Sequence, residues 1–251
     1  MVTDLTNDEL KIYRGEDFIV SKYIHIKQPS LDEICDYGEQ DYYSMLYQLT
    51  ATPQSMKVQL WDIMDTDYTT ITPYELFWKL ICKMYPQEKT AIIFGDLDLT
   101  RFEIAQHEDD HSVLLCQVID NEPVIIDEFT YNMIMDYLRQ VHGIRKDEKI
   151  PANETTKMIL IEDEREEFER NKNKEHHSYL KNLISTMINS EGFNYNHQNV
   201  WDVKINAFMD SVKRFSKIKN ADLLLQSGYS GFGVNLKEVS ENKLDYFGEL
   251  E

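Results

Sequence analysis

The stretch VWDVKINAFMDSVKRFSKIK, residues 200–219, constrains the fold of this 251-residue chain more than any other. Its large apolar residues recur at steps of four and three, which is the spacing of one helix face: Trp201, Ile205, Phe208, Val212 and Phe215. Burial of one such side chain is worth about 1.5 to 3 kcal/mol. The predicted helix must therefore dock against a large apolar surface, which the rest of the chain has to supply.

The opposite face of this predicted helix carries four cations, which we call the basic ridge: Lys204, Lys213, Arg214 and Lys217. The chain as a whole has 26 Lys and Arg against 45 Asp and Glu, so its formal net charge is −19. In a protein of this charge, a local basic ridge serves either intramolecular pairing or a partner. The sequence leaves both uses open.

The net charge of −19 opposes binding to phosphate backbones and to anionic membranes. We expect no nucleic-acid partner and no membrane partner. The basic ridge is the one place where the expectation about nucleic acid could fail. A partner with a basic surface, and imitation of DNA, both stay open.

The sequence shows no signal peptide and no apolar run of membrane length, so the protein is predicted to be cytosolic. Three widely spaced cysteines with apolar neighbours, Cys35, Cys82 and Cys116, are predicted to be buried thiols in a reducing compartment.

The apolar pattern predicts an α+β fold, mainly helical, with a short N-terminal β-hairpin and a small inserted antiparallel sheet. Residues 1–89 comprise the hairpin, at FIVSKYIHIK, and helices. Two of these helices begin with capping boxes, Ser30 with Glu33 and Thr72 with Glu75. Residues 90–127 comprise four short runs, which we interpret as three or four strands of the sheet: AIIF, LTRFEI, SVLLCQV and PVII.

Residues 128–251 are predicted to be helical and to form one compact unit with the rest. Asp127 caps the first helix of this region, and Gly143 ends it. A long helix from Glu154 to about Lys172 has an apolar first half and a charged second half, EDEREEFERNKNK, which either projects into solvent or contacts another chain. The segment QSGYSGFG, near residue 230, is predicted to be a loop.

Several motifs resemble catalytic or metal sites, but none has the required context. The run from His107 to His111 matches H-E-x-x-H, yet it falls between two predicted strands instead of in a helix, so we expect no zinc there. Asp65 and Asp67 begin like a calcium loop that lacks its glycine and its final glutamate. Gly95-Asp96-Leu97-Asp98 has no phosphate loop beside it, and no histidine follows Ser230 to act as a base. We expect no metal, no cofactor and no enzymatic activity.

The order of segments in the chain resembles a family of tailed-bacteriophage proteins from Gram-positive hosts. The resemblance rests on YRGEDF, YIHIKQPSLDEICDYGEQDYYSM, IIFGDLDL, YLRQVHG, VWDVKINAFMDSVKRFSKIKN and QSGYSG. That family is associated with the tail-morphogenesis region, near genes for the tail tube, the tail assembly chaperone and the tape measure protein. The resemblance implies a setting in the host cytoplasm and no catalytic residues.

We therefore expect a non-enzymatic phage tail assembly factor, or chaperone-like protein, that binds another tail protein such as the tape measure or tail tube protein. The alternative is an acidic, phage-encoded inhibitor of a host protein that imitates DNA; a metal-dependent hydrolase is a distant third. The candidate partner-binding residues lie in the predicted loop, Tyr229 and Phe232, and on the basic ridge, Lys213, Arg214 and Lys217. Packing of Tyr229 and Phe232 onto the Trp201 helix is the structural alternative. The charged half of the Glu154 helix is a second candidate surface, and the oligomeric state stays open.

Overall fold

The computed structural model describes residues 9–107, 109, 111–175, 177–230 and 233–250. The α-helices of these residues are α1 (Glu9–Arg14), α2 (Leu31–Tyr37), α3 (Glu39–Leu49), α4 (Lys57–Asp62), α5 (Pro73–Lys79), α6 (Gln87–Phe94), α7 (Glu128–His142), α8 (Glu154–Asn171), α9 (Tyr179–Ile188), α10 (Ile205–Tyr229) and α11 (Glu241–Leu244). The strands are β1 (Phe18–Ile19), β2 (His25–Ile26), β3 (Glu103–Gln106), β4 (Val113–Ile119) and β5 (Glu122–Ile126). The predicted fold class, α+β and mainly helical, is confirmed.

Local capping signals set the helix boundaries of the N-terminal third. At the start of α2, the Ser30 hydroxyl accepts a hydrogen bond from the Glu33 amide (3.2 Å), and the Glu33 carboxylate accepts one from the Ser30 amide (2.6 Å). Gly38, at a φ of +95°, separates α2 from α3. Thr72 and Glu75 repeat the capping box at the start of α5. Both predicted boxes are confirmed, because their hydrogen bonds are local and do not depend on tertiary packing.

The Thr72 cap gives the first testable prediction. We expect Thr72→Ala to lower the free energy of unfolding by about 1 kcal/mol, because the amide of Glu75 loses its hydrogen-bond acceptor. Urea denaturation measures the change, and Thr72→Ser, which keeps the hydroxyl, is the matched control. Equal stability of the alanine variant and the wild type would contradict this role of the cap.

The two antiparallel sheets are small. β1 pairs with β2 in the predicted hairpin, and the second sheet has the order β3-β4-β5. The prediction of a strand at AIIF is wrong, since these residues form the last turn of α6. Thr90, Ile93 and Phe94 are buried at helical spacing, and Gly95 ends the helix at a φ of +59°. An apolar run that is this short does not distinguish a strand from a buried helix.

The first half of α10 is tied to the body of the protein by its backbone and by its apolar face. The Leu31 amide donates to the Val203 carbonyl and the Ile205 amide to the Pro29 carbonyl, both at 3.0 Å. Ile205 and Phe208 are fully buried. Trp201, which the sequence places on the same helix, instead lies in a 3-10 turn, 200–202, before α10. That part of the prediction is wrong, because extended backbone at Val203 and Lys204 separates the turn from the helix.

The cysteines are only partly as predicted. Cys82 is buried, and its thiol lies 3.4 Å from the Trp78 carbonyl. Cys35 is exposed, because it lies on α2 beside the inward-facing Ile34. Cys116 is half-buried, because it faces outward on β4 while its neighbour Leu115 faces the core. Apolar sequence neighbours do not predict that a cysteine is buried, because successive residues of a strand point to opposite faces of the sheet.

Candidate interaction surface

The helix that carries the basic ridge is longer than the sequence indicates. It continues to Tyr229, so the predicted loop begins too early: Gly228 is helical and Ser230 is the C-cap. A Cβ atom at Gly228 would lie 2.3 Å from Cγ of Leu236. The glycine therefore serves a close approach between α10 and the following segment, instead of a turn.

The following segment, residues 234–250, folds back along α10, and we call it the C-terminal strap. Arg214 Nη1 donates to the backbone carbonyls of Tyr246 (2.7 Å) and Gly248 (2.8 Å). Lys217 Nζ donates to Asn242 Oδ1 (2.7 Å) and to the Glu249 carbonyl (2.6 Å). Two cations of the basic ridge thus bind the chain's own C-terminal strap.

A further contact of the strap involves the Tyr246 hydroxyl, which donates to Asp222 Oδ1 at 2.5 Å. This hydrogen bond to the Asp222 carboxylate raises the pKa of Tyr246 above its usual value. No side chain of the strap is buried, and the hydrogen bonds described here are its polar contacts with α10. Such contacts are individually worth only about 0.5 to 1.5 kcal/mol.

The other two cations of the basic ridge also have intramolecular positions. Lys204 forms an ion pair with Glu33 at 3.5 Å. Lys213 Nζ lies beside Gly143, the C-cap of α7, where a Cβ atom would be 3.6 Å away. The negative end of a helix dipole favours a cation there. The four cations therefore do not form one continuous surface.

An open groove of about 680 Å³ lies between α10 and the strap. Four apolar side chains line it: Val212, Leu223, Leu224 and Leu250. Lys213, Lys217, Lys243 and Glu249 also line it. The groove thus combines an apolar floor with a mainly cationic rim, as a binding site for an apolar segment with carboxylates would require. We call it the α10 groove.

Of the predicted partner-binding residues, the structure brings Lys213 and Lys217 together in the α10 groove, whereas Arg214 lies outside its lining. Tyr229 is 81% exposed in the last turn of α10. It therefore does not pack onto the helix as the structural alternative supposed, and it does not line the groove. Phe232 lies outside the described residues. Sequence reasoning missed Leu223 and Leu224, because it ended the helix of the basic ridge at Lys219, before these residues.

The charged half of α8, the second candidate surface, contacts α4. Arg165 Nη2 and Nε donate to the two carboxylate oxygens of Asp62 at 2.7 and 3.0 Å. Lys57 forms an ion pair with Glu164 in the same region. The bidentate contact from Arg165 lowers the pKa of Asp62, since a hydrogen bond from a guanidinium favours the charged carboxylate. Further along, Phe168 is 60% exposed.

The motifs that resembled metal sites have structural roles in the described residues. His107 donates its amide to the Ser112 carbonyl (2.9 Å) in the turn between β3 and β4. Asp67 accepts from the Thr69 amide and from Lys157 Nζ, and Asp98 caps a 3-10 turn through the Thr100 amide. No group of three or more His, Cys, Asp or Glu in the described residues is placed to hold a metal ion. Glu108, Asp110 and His176 lie outside the described residues.

The most perturbed histidine is sealed in the core. His142 Nε2 lies 2.5 Å from the Tyr42 hydroxyl, and Nδ1 lies 2.8 Å from the Leu138 carbonyl. Burial lowers the pKa of His142 to about 4, because desolvation penalises the imidazolium. The ring is therefore neutral at pH 7, with Nδ1–H donating to Leu138 and Nε2 accepting from Tyr42. Both nitrogens are satisfied inside the core, so this pair has a structural role and does not face a substrate.

Packing of the strap gives the second prediction, at Gly228. Alanine in a helix interior is more stable than glycine by about 1 kcal/mol, but a methyl group here would collide with Leu236. We expect Gly228→Ala to displace the strap and to speed proteolytic cleavage of residues 234–250. Gln226→Ala, at an exposed position of the same helix outside the groove lining, is the control and should leave the cleavage rate unchanged. A Gly228→Ala protein that is more stable, with an equally protected strap, would contradict the described packing.

Comparison with known families gives one match to this part of the chain. The family model of the YomV second domain matches residues 171–248, which span α9, α10 and the strap. The match is consistent with a bacteriophage protein. No curated protein and no solved structure matches the chain. None of the helices in the described residues has the length and apolar character needed to span a membrane.

Proposed function

We propose that this chain is a non-enzymatic assembly factor of a tailed bacteriophage, acting in the host cytoplasm, that binds another tail protein. The α10 groove is the observation that carries the proposal. It presents an apolar floor at Leu223 and Leu224 in a protein whose net charge keeps it dispersed in solution. A partner segment with apolar side chains and carboxylates fits this surface.

The position of the α10 groove supports the same proposal. Its lining comes from α10 and the strap, most of which falls in the range that matches the YomV second domain. The sequence resemblance to proteins of the tail region indicates the class of partner, namely a tail protein such as the tape measure or tail tube protein. The His142–Tyr42 pair is buried in the core, so it contributes to stability rather than to catalysis.

Co-expression tests the proposed function. Each tail protein of the same phage is expressed with and without this chain, and the soluble fraction is separated by size-exclusion chromatography. We expect one tail protein to gain solubility and to co-elute with the chain. If no tail protein does so and a host enzyme is captured instead, the assembly proposal is wrong and inhibition of that enzyme takes its place.

A further inference from the structure

A second surface, on the outer face of the three-stranded sheet, has features that the α10 groove does not share. The inner face of the sheet is buried at Leu115, Val124 and Ile126. On the outer face, Val118 is 71% exposed and Ile125 is 44% exposed. The register places Cys116 opposite Ile125, so apolar side chains continue across the outer face. A single exposed apolar residue would need no explanation, but several such residues lie together on this face.

The sheet also has an incomplete edge. β3 pairs with β4 only as far as Glu103 opposite Cys116, whereas β4 continues to Ile119. Before Glu103 the chain turns away into the 3-10 turn 99–101, and Lys83 Nζ donates to the Phe102 carbonyl (2.6 Å). Among the described residues, no strand pairs with this side of 117–119. The β4 backbone is therefore open to an added strand there.

A groove of about 770 Å³ lies over this incomplete edge, and we call it the sheet groove. Its apolar lining includes Val118 on the outer face and Ile104, 58% exposed, which lies opposite Leu115 and so faces the other side of the sheet. Four carboxylates also line it: Asp96, Asp98, Glu103 and Asp120. The one cation in this lining as described is Arg101, whose Nε lies 3.2 Å from Asp98 Oδ2. The groove is thus apolar at its floor and negative at its rim.

The charge of the sheet groove decides what it can accept. A second copy of this chain, at a net charge of −19, is repelled, and nucleic acid is opposed for the same reason. A segment that carries Lys or Arg between apolar residues complements both the rim and the floor. Because an unpaired strand edge offers backbone N–H and C=O groups, the segment would bind in extended form.

We propose that the sheet groove is a docking site for an extended segment of another protein in which basic and apolar residues alternate. The apolar side chains contact Val118 on the outer face, the basic ones pair with carboxylates of the rim, and the segment backbone pairs with β4 at 117–119. This site is separate from the α10 groove. The assay for this site needs no tail protein. A negative result would therefore count against the sheet groove and leave the proposed function untouched.

The test uses fluorescence anisotropy with the full chain and two labelled synthetic peptides of about eight residues. One alternates lysine and valine, and the other alternates glutamate and valine. We expect the lysine peptide to bind, with an affinity that falls as salt is added, and the glutamate peptide to bind at least about ten-fold more weakly. Equal binding of the two peptides would overturn the proposal, because it would show that the rim does not select charge.

Two variants locate the binding. Val118→Lys places a cation on the exposed floor and should weaken the lysine peptide at least about ten-fold. Ile159→Lys, at a 54% exposed position on α8, is the matched control and should have no effect. Since Val118 makes little contact with the core, circular dichroism should show an unchanged fold. Asp96→Asn with Glu103→Gln should also weaken binding and reduce its salt dependence.

Two results would contradict this location. If Val118→Lys and the double variant both bind the lysine peptide as well as the wild type does, the peptide binds elsewhere. If sedimentation shows a dimer of the unmodified chain that Val118→Lys dissociates, the occupant of the sheet groove is a second copy and the proposed partner is wrong.

Discussion

Phe208→Ala is expected to lower the free energy of unfolding by about 3 to 5 kcal/mol, the largest single effect that we predict. Phe208 is fully buried and packs edge-on against Phe193, with ring centroids 6.5 Å apart. The backbone bridge between Ser30 and Lys204 fixes the start of α10, so the helix cannot shift freely to fill the cavity. Urea denaturation at pH 7 measures the change.

The control for this prediction lies on the same helix. Leu223 is 63% exposed, so Leu223→Ala should change the free energy of unfolding by no more than about 0.5 kcal/mol. If Phe208→Ala and Leu223→Ala cost the same small amount, α10 does not hold the body of the protein together as described.

The second large effect is a pH dependence of stability at His142. Its pKa of about 4 in the folded state lies below the usual 6.5, so the unfolded chain takes up a proton first as the pH falls. The stabilising contribution is fully present above pH 6.5 and is lost between pH 6.5 and 4. A difference of this size corresponds to about 3 kcal/mol.

The measurement compares unfolding free energies of the wild type and His142→Gln between pH 7 and pH 4. Carboxylates titrate in both proteins, so the difference between the two curves isolates the imidazole. We expect the advantage of the wild type to shrink by about 3 kcal/mol over this interval. His177→Gln, at an exposed histidine, is the control and should follow the wild type. Parallel curves for wild type and His142→Gln would contradict a neutral, buried imidazole.

The features that could be predicted from the sequence have local causes. The capping boxes at Ser30 and Thr72 and the cap at Asp127 each involve groups within four residues of one another. The hairpin β1–β2 and the three strands after Phe102 likewise follow from short apolar runs between turn residues. These signals place most of the elements without knowledge of the tertiary structure.

The features that could not be predicted depend on contacts between distant segments. Gly228 falls in the predicted loop, but it is helical, and Leu236 packs where its side chain would be. The strap contacts Arg214 mainly through backbone carbonyls, which leave no trace in residue types. The α10 groove and the sheet groove combine residues far apart in the chain, so neither is visible as a motif.

The α10 groove can be tested most directly with a tail protein that co-elutes with the chain. The affinity of the purified pair is measured by titration calorimetry for the wild type, Leu223→Asp and Ile150→Asp. Ile150, 82% exposed in the link between α7 and α8, is the matched control for an exposed apolar residue. We predict that Leu223→Asp weakens binding at least about ten-fold and that Ile150→Asp leaves it unchanged. Equal affinity of all three proteins would contradict binding through the α10 groove.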